Sequence, residues 1–387
     1  MKDNKGLSMH DIWELEALDY IEEISNKYEK LHGHDPQFVS DWNPSNQFKQ
    51  KISKHINIKK NETTNVMDYI FSYTNSNLNE LSKKLWGNGN WGKLITPSGS
   101  ASINVVIHWL VQQGINNVDI ICPTYFTVPN VLKRFGINCT KHYLHKESDQ
   151  TFSLSSTISV KSNSALWITN PVYCTGVQHF NPFQHPNFDC DQWSTVILDQ
   201  CLASDTQVFR KLHHFDNVID IRSPHKPLCI NGSKFSAIGF NSKHQNVFDH
   251  IADLVYGCLS TSNIDAVDDY LSPNFNVMEN KIFNEFKNIS RKFRDIVNSN
   301  IHCETDQNSI GYLRTIYTPS FQASKNNSQD ILWQLTQNTG ATFLTGLRNH
   351  FSPDGPFCFR VNLCRDSPLH WAALTQLVQA LPTFLQK

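Results

Sequence analysis

Between Val118 and Phe240 the chain repeats one pattern. Short apolar, β-branched runs at Val118–Cys122, Ile137–Leu144, Ala165–Thr169, Thr195–Leu198, Asn217–Ile221 and Phe235–Phe240 alternate with loops and helical stretches. The runs are too short for helices and are bounded by breakers such as Pro123, Pro171 and Pro224, so they read as buried strands. Strand, loop, helix, strand in this order implies an α/β fold with a mostly parallel sheet flanked by helices. Open sheets of that kind bind their ligands beyond the carboxyl ends of the strands. The residues just after each run therefore matter most.

The flanking segments frame that sheet. An N-terminal helical pattern (Ile12, Leu15, Leu18, Ile21, Ile24, Tyr28) stops at Gly33 and Pro36. Residues 35 to 65, rich in Asn, Ser, Lys and Pro, read as an extended surface connection, followed by Tyr69, Tyr73 and a short helix with Leu78, Leu81 and Leu85. Gly87 to Gly92 spells G-x-G-x-x-G, but a helix precedes it where the dinucleotide fingerprint needs a strand, so these glycines read as a turn. Met278, Ile282, Phe286, Ile289, Phe293 and Ile296 recur at helical spacing, giving a long helix from roughly 276 to 298 expected to bridge two domains. An extended run near 310 to 318, a helix near 329 to 338 ended by Gly340, the strand 357 to 363 and a last helix capped by Ser367 follow. The expected division is 1–45 as an N-terminal arm and part of a small domain, 46–268 as the large domain, and 269–387 as a smaller C-terminal α/β domain.

Lys and Arg total 34 against 35 Asp and Glu, which argues against nucleic acid or an anionic membrane as a partner. No apolar run reaches membrane-spanning length, and the start, Met-Lys-Asp-Asn-Lys, has no signal-peptide core, so a cytoplasmic protein is expected. The 10 cysteines lack a Cys-x-x-Cys pair and the 17 histidines lack metal-ligand spacing; free thiols and no metal site are expected.

Chemistry gathers at the strand ends. Lys226 sits just past one, with Ser223 before it and Lys234 after it. An amine flanked by a hydroxyl and a second cation suits a cofactor that carries both an aldehyde and a phosphate, such as pyridoxal phosphate. Ser98-Gly99-Ser100 opens a helix, and its backbone N–H groups either bind an anion or form an ordinary cap. Tyr125 is either a platform for a flat ring or a core aromatic. Asn170-Pro171 is an amide donor at the sheet edge or a turn. Asp199 ends an apolar strand as a helix cap or as a carboxylate with a cationic partner. Arg360, alternating with Phe359 and Val361, fits either a substrate carboxylate or a structural ion pair.

In this chain order, and with these spacings from Asn170 to Asp199, Lys226 and Lys234, the sequence resembles the class I and II aminotransferases among the fold-type I pyridoxal-phosphate (PLP) enzymes. The resemblance spans about residues 65 to 365, including Gly340-Ala-Thr-Phe-Leu-Thr-Gly346 ahead of Phe359-Arg-Val-Asn-Leu363. It implies that Lys226 forms the Schiff base and moves the Cα proton, and that Asp199 holds the pyridine N–H. Asn170 would bond the phenolic oxygen and Tyr125 would stack on the ring. Ser98, Gly99, Ser100, Ser223 and Lys234 would form the phosphate cup, and Arg360 would clamp the substrate carboxylate. It also implies a homodimer with shared sites, Tyr73, or less so Tyr69, reaching the partner's phosphate. Two positions depart from the family pattern: Leu202 replaces a tyrosine that bonds the phenolic oxygen, and Lys234 replaces an arginine. The leading expectation is an aminotransferase acting on an α-amino acid in biosynthetic, specialised metabolism. The alternative is elimination or replacement at Cβ or Cγ of a sulfonium amino acid such as S-adenosylmethionine.

Overall fold

The computed structural model describes residues 17–56, 70–72, 77–147, 152–154, 158–177, 190–204, 216–326 and 328–385. Tyr69 and Tyr73, the tyrosines expected to reach a partner subunit, lie outside the described residues. The backbone forms two compact units. One comprises residues 1–51, 287–307 and 313–387; the other comprises 52–286 and 308–312. Among the described residues no helix is long and apolar enough to cross a membrane, and no cluster of three or more His, Cys, Asp or Glu side chains could hold a metal ion.

The chain begins with helix α1 (Ala17–His32), strand β1 (Gln37–Phe38) and helix α2 (Asn46–Ser53). Residues 35 to 65 were expected to hug the surface. Instead Val39, Ser40 and Phe48 are fully buried, because this segment adds backbone bonds to strands three hundred residues away: Val39 N–H to Thr342 O at 2.9 Å and Asn362 N–H to Val39 O at 2.9 Å. Nothing in the local polar composition encodes that partner.

The larger unit holds α3 (Leu78–Trp86), β2 (Trp91–Thr96), α4 (Gly99–Gln112), β3 (Asn117–Cys122), α5 (Thr127–Arg134), β4 (Asn138–Lys146), β5 (Phe152–Leu154), β6 (Ser164–Thr169), β7 (Thr195–Gln200), β8 (Val218–Arg222), β9 (Ser236–Asn241), α6 (Gln245–Val255) and α7 (Thr261–Leu271). Its eight strands pair in the order β2-β9-β8-β7-β6-β3-β4-β5. Neighbours from β8 to β4 are parallel; β9 runs antiparallel to both β8 and β2, and β5 antiparallel to β4. The sheet is thus mostly parallel, as the alternation requires. The reading of Gly87 to Gly92 as a turn holds only up to Asn90, since Trp91 and Gly92 already belong to β2, and a Cβ at Gly92 would lie 2.4 Å from the Phe240 ring on the neighbouring strand β9.

Side chains of the parallel strands alternate between two apolar clusters. Ile120, Ala165, Trp167, Ile197 and Ile219 pack against Ile103, Val106 and Leu110 of α4 and Val128 and Leu132 of α5. Ile121, Leu166, Ile168, Val196 and Leu198 fill the other face with Trp193. Both faces are covered, which is why these strands read as continuous apolar runs rather than as alternating ones. Between β3 and β6 the strand order reverses direction, and Thr124 and Thr169 hydroxyls bond at 3.0 Å across that point.

Helix α8 (Phe275–Asn298) follows, and the division between units falls within it, after Phe286. The smaller unit then carries β10 (Glu304–Thr305), β11 (Leu313–Gln322), α9 (Ala323–Asn326), α10 (Gln329–Thr339), β12 (Ala341–Thr342), β13 (Pro356–Asn362) and α11 (Pro368–Leu385). Strands β10, β11 and β13 form an antiparallel sheet, and β1 pairs in parallel with β12. Gly340 ends α10 in the left-handed conformation (φ 66°), and the Ser367 hydroxyl accepts from His370 N–H at 3.2 Å to cap α11.

Candidate active site

The carboxyl ends of β6, β7 and β8 lie side by side in register, with Thr169 opposite Asp199, Asp199 opposite Ile221 and Gln200 opposite Arg222. Parallel pairing of buried strands therefore brings residues far apart in sequence into one place. Asn170 N–H donates to Asp199 O at 2.9 Å. Lys226 begins a short 3-10 turn four residues after the end of β8, closed by Cys229 N–H to Lys226 O at 3.0 Å and preceded by a turn in which Lys226 N–H donates to Ser223 O at 3.0 Å. That turn is pinned from behind: His225, fully buried, donates from Nε2 to Asp269 of α7 at 3.0 Å. The Lys226 ammonium lies 5.2 Å from the centroid of the Tyr125 ring, within cation–π range.

The Asp199 carboxylate is 4% exposed and accepts the Cys201 backbone N–H at 3.2 Å. Burial pushes its pKa above the usual carboxylate range, while the Lys226 charge and the bonds from Cys201 pull the other way. Lys234 is moved in the opposite sense: burial, then the neighbouring Lys226 charge, lower its pKa. An anion placed beside Lys234 would offset what burial and the neighbouring charge cost its ammonium group.

A cradle for such an anion is built at the start of α4. Ser98 is extended (φ −165°) and its hydroxyl accepts Ala101 N–H at 3.2 Å, which makes it the helix cap. Gly99 and Ser100 follow at the positive end of the helix dipole. A Cβ at Gly99 would lie 2.9 Å from Cys201 Sγ and 3.7 Å from Ser223 Oγ, so glycine alone lets this helix end reach the β7 and β8 ends. Asn263 closes the ring, donating from Nδ2 to Lys234 O at 2.7 Å and to Pro97 O at 3.3 Å. Burial and the Asp199 charge push the Cys201 thiol up, so it stays neutral beside Ser223 and the cradle's net charge is positive.

Arg360 belongs to the other unit. It lies on β13, 1% exposed, with its guanidinium 4.2 Å over the Trp42 ring and Nη2 bonded to Ser40 O. Its Nε and Nη1 have no hydrogen-bond partner among the described residues. A structural salt bridge, one of the two readings open from sequence, is absent among the described residues. A buried guanidinium with two unused donors is a ready site for a planar carboxylate supplied from outside.

The structure thus brings together Lys226, Asp199, Tyr125, Asn170, Gly99, Ser223 and Lys234, with Ser98 and Ser100 flanking Gly99. Cys201, Asn263 and Asp269 were not anticipated; each acts from a loop or helix whose own sequence carries no sign of the neighbour it serves. Tyr173 was also unmarked, and its ring lies 5.7 Å from that of Tyr125. The donor set fits PLP: an amine, a buried carboxylate, a short amide, an aromatic face and a cationic cradle at a helix N-terminus.

No protein-family model matches the chain, and no curated protein matches it. Solved structures do. An aminotransferase from Escherichia coli aligns with TM-score 0.72 at 12% identity, covering 95% of each chain. Alanine aminotransferase from Pyrococcus furiosus aligns with TM-score 0.71 at 14% identity, covering 97% of this chain and 99% of the other. Aspartate aminotransferase from Rhizobium meliloti aligns with TM-score 0.68 at 10% identity, covering 94% and 96%. Over nearly its whole length, then, this chain has the fold of the aminotransferases.

Proposed function

We propose that the chain is a cytoplasmic, homodimeric, PLP-dependent aminotransferase acting on an α-amino acid. The observation that carries this reading is the meeting of Lys226, Asp199 and Lys234 at adjoining strand ends of a fold shared with aminotransferases. When bound, PLP supplies an aldehyde that captures an amine and a pyridine ring that takes up charge from the substrate's Cα. Lys226 Nζ is the amine that holds the aldehyde and, once released, the base that carries the Cα proton. Asp199 accepts the ring N–H, and that positive partner offsets the burial that disfavours its charge. Tyr125 covers one ring face, Asn170 donates to the phenolic oxygen, and Ser98, Gly99, Ser100, Ser223 and Lys234 bind the phosphate. Arg360 offers Nε and Nη1 to the substrate carboxylate.

The test is direct. Purified protein mixed with PLP should turn yellow, and borohydride followed by peptide mapping should label Lys226; labelling at Lys234 instead would refute the assignment. A single turnover with an amino acid and no keto acid should leave the cofactor aminated. An unchanged cofactor together with a released side-chain fragment would replace transamination by elimination or replacement.

A further inference from the structure

Four buried side chains form a polar chain behind the strand ends. Asn170 Nδ2 donates to Gln200 Oε1 at 3.2 Å, and Gln200 Nε2 donates to Asp220 Oδ1 at 2.9 Å. Asp220 Oδ2 accepts from Arg222 Nε at 3.1 Å and Nη2 at 2.8 Å, and Arg222 Nη1 is anchored on Leu85 O at the end of α3. None of the four is more than 4% exposed.

An amide has two ends of nearly equal shape and opposite polarity. Here the polarity is dictated from one side. A guanidinium only donates and a carboxylate only accepts, so the end of Gln200 facing Asp220 must be its NH2. Its carbonyl oxygen then faces Asn170, which must answer with an N–H. Turning Gln200 over would set oxygen against a buried carboxylate and leave two bonds unmade, a larger loss than one missing hydrogen bond. Asn170 is held with Nδ2 toward Gln200, one amide hydrogen used and the other not taken by this chain of bonds. Were Asn170 reversed, it would turn an acceptor toward a phenolic oxygen. Leu202 stands where the family places a second donor, so the orientation of Asn170 carries more weight here.

We propose that Gln200, Asp220 and Arg222 are positioning residues that fix the direction of the Asn170 amide, so that it presents a donor to the cofactor's phenolic oxygen. The proposal rests on the PLP reading above. A donor on that oxygen competes for the negative charge that otherwise holds the proton on the lysine–cofactor nitrogen. Losing the donor lets that nitrogen keep its proton to higher pH, which the visible absorbance reports.

The experiment is a pH titration of that absorbance in PLP-loaded protein, with PLP affinity and urea unfolding measured alongside. Gln200→Met, close in shape and unable to bond either neighbour, should raise the midpoint by about 0.5 to 1 unit and weaken PLP binding about 2- to 10-fold. Asn170→Ala should move the midpoint in the same direction, and the double variant should shift no further than Asn170→Ala alone. Asp220→Asn keeps its oxygen as a partner for Arg222 and so turns its NH2 toward Gln200, which reverses the preferred direction of the amides; it too should raise the midpoint, and it serves if Gln200→Met does not fold. Lowered stability with an unmoved midpoint in both Gln200→Met and Asp220→Asn, while Asn170→Ala moves it, would overturn the proposal and leave the site reading standing. An unmoved midpoint in Asn170→Ala, or no visible band in the parent, would overturn the site reading and the proposal with it.

Discussion

Two buried arginines divide the labour of this molecule. Arg222, 4% exposed, gives Nε and Nη2 to Asp220 and Nη1 to a helix-end carbonyl, so its charge is answered within the chain. Arg360, 1% exposed, has one carbonyl and the face of Trp42, and among the described residues two of its donors have no partner. Burial is the same; completion is not. A charge answered internally builds structure, because removing either partner strands the other in a dry interior. A charge left partly unanswered costs the free protein stability until some partner answers it.

The contrast can be broken most forcefully at Asp220. Asp220→Ala strands Arg222 and is expected to cost about 3–5 kcal/mol of stability, read from urea unfolding of the protein without cofactor; a loss under about 1 kcal/mol would mean that Arg222 is not held by this pair. Arg360→Met should behave in the opposite way, unfolding no earlier than the parent while the half-saturating amino acid concentration rises about 10- to 100-fold. Arg360→Lys should not restore it, since an ammonium cannot replace the planar fork. Equal losses of stability at both arginines would erase the distinction.

Asp199 sharpens it from the acidic side. Its folded-state pKa is raised, so as pH falls the folded protein binds this proton before the unfolded chain does. The residue therefore favours folding at low pH, and that contribution is lost as pH rises from the ordinary value of 3.8 through the raised one. Asp199→Asn should raise the melting midpoint of cofactor-free protein by a few degrees at pH 7 and leave it nearly unchanged at acid pH, as differential melting curves would show. The smallest effect is expected at Trp42. Trp42→Leu removes a cation–π contact of about 0.5–1 kcal/mol and should weaken amino acid binding a few-fold, with Arg360 still in place.

What was legible in sequence followed from local rules. Strands β3, β6, β7 and β8 are buried on both faces, so their apolar runs stand out, and the long helix, the Gly340 stop and the Ser367 cap follow from spacing and capping chemistry. Lys226, Asp199 and Asn170 could be placed at or just past strand ends because strand ends are identifiable even when the sheet is not. What was missed depends on distant pairing. Strand β2 alternates partly exposed and buried residues at a sheet edge beside glycines, which reads as a turn until β9 is laid against it. Ser40 and Val39 look like loop residues until β12 and β13 supply their partners. Gln200, Asp220 and Arg222 are polar residues in strands, and nothing local reveals that they bond to one another rather than to water.

That buried polar chain also constrains how such a sequence can drift. Its members sit on two adjacent strands and just past the end of a third, and bond across separations of 30, 20 and 2 residues, yet each fixes what the next can be. A lineage that exchanges Asp220 or Arg222 alone passes through an ancestor with an uncompensated interior ion, a deficit of about 3–5 kcal/mol against a total margin of roughly 5–15 kcal/mol. Such an ancestor is largely barred, so the pair can change only together or after stabilising substitutions elsewhere. Leu202, partly exposed and outside the network, is under no such restraint. Descendants of this chain should differ freely there while inheriting the Asp220–Arg222 pair as a block.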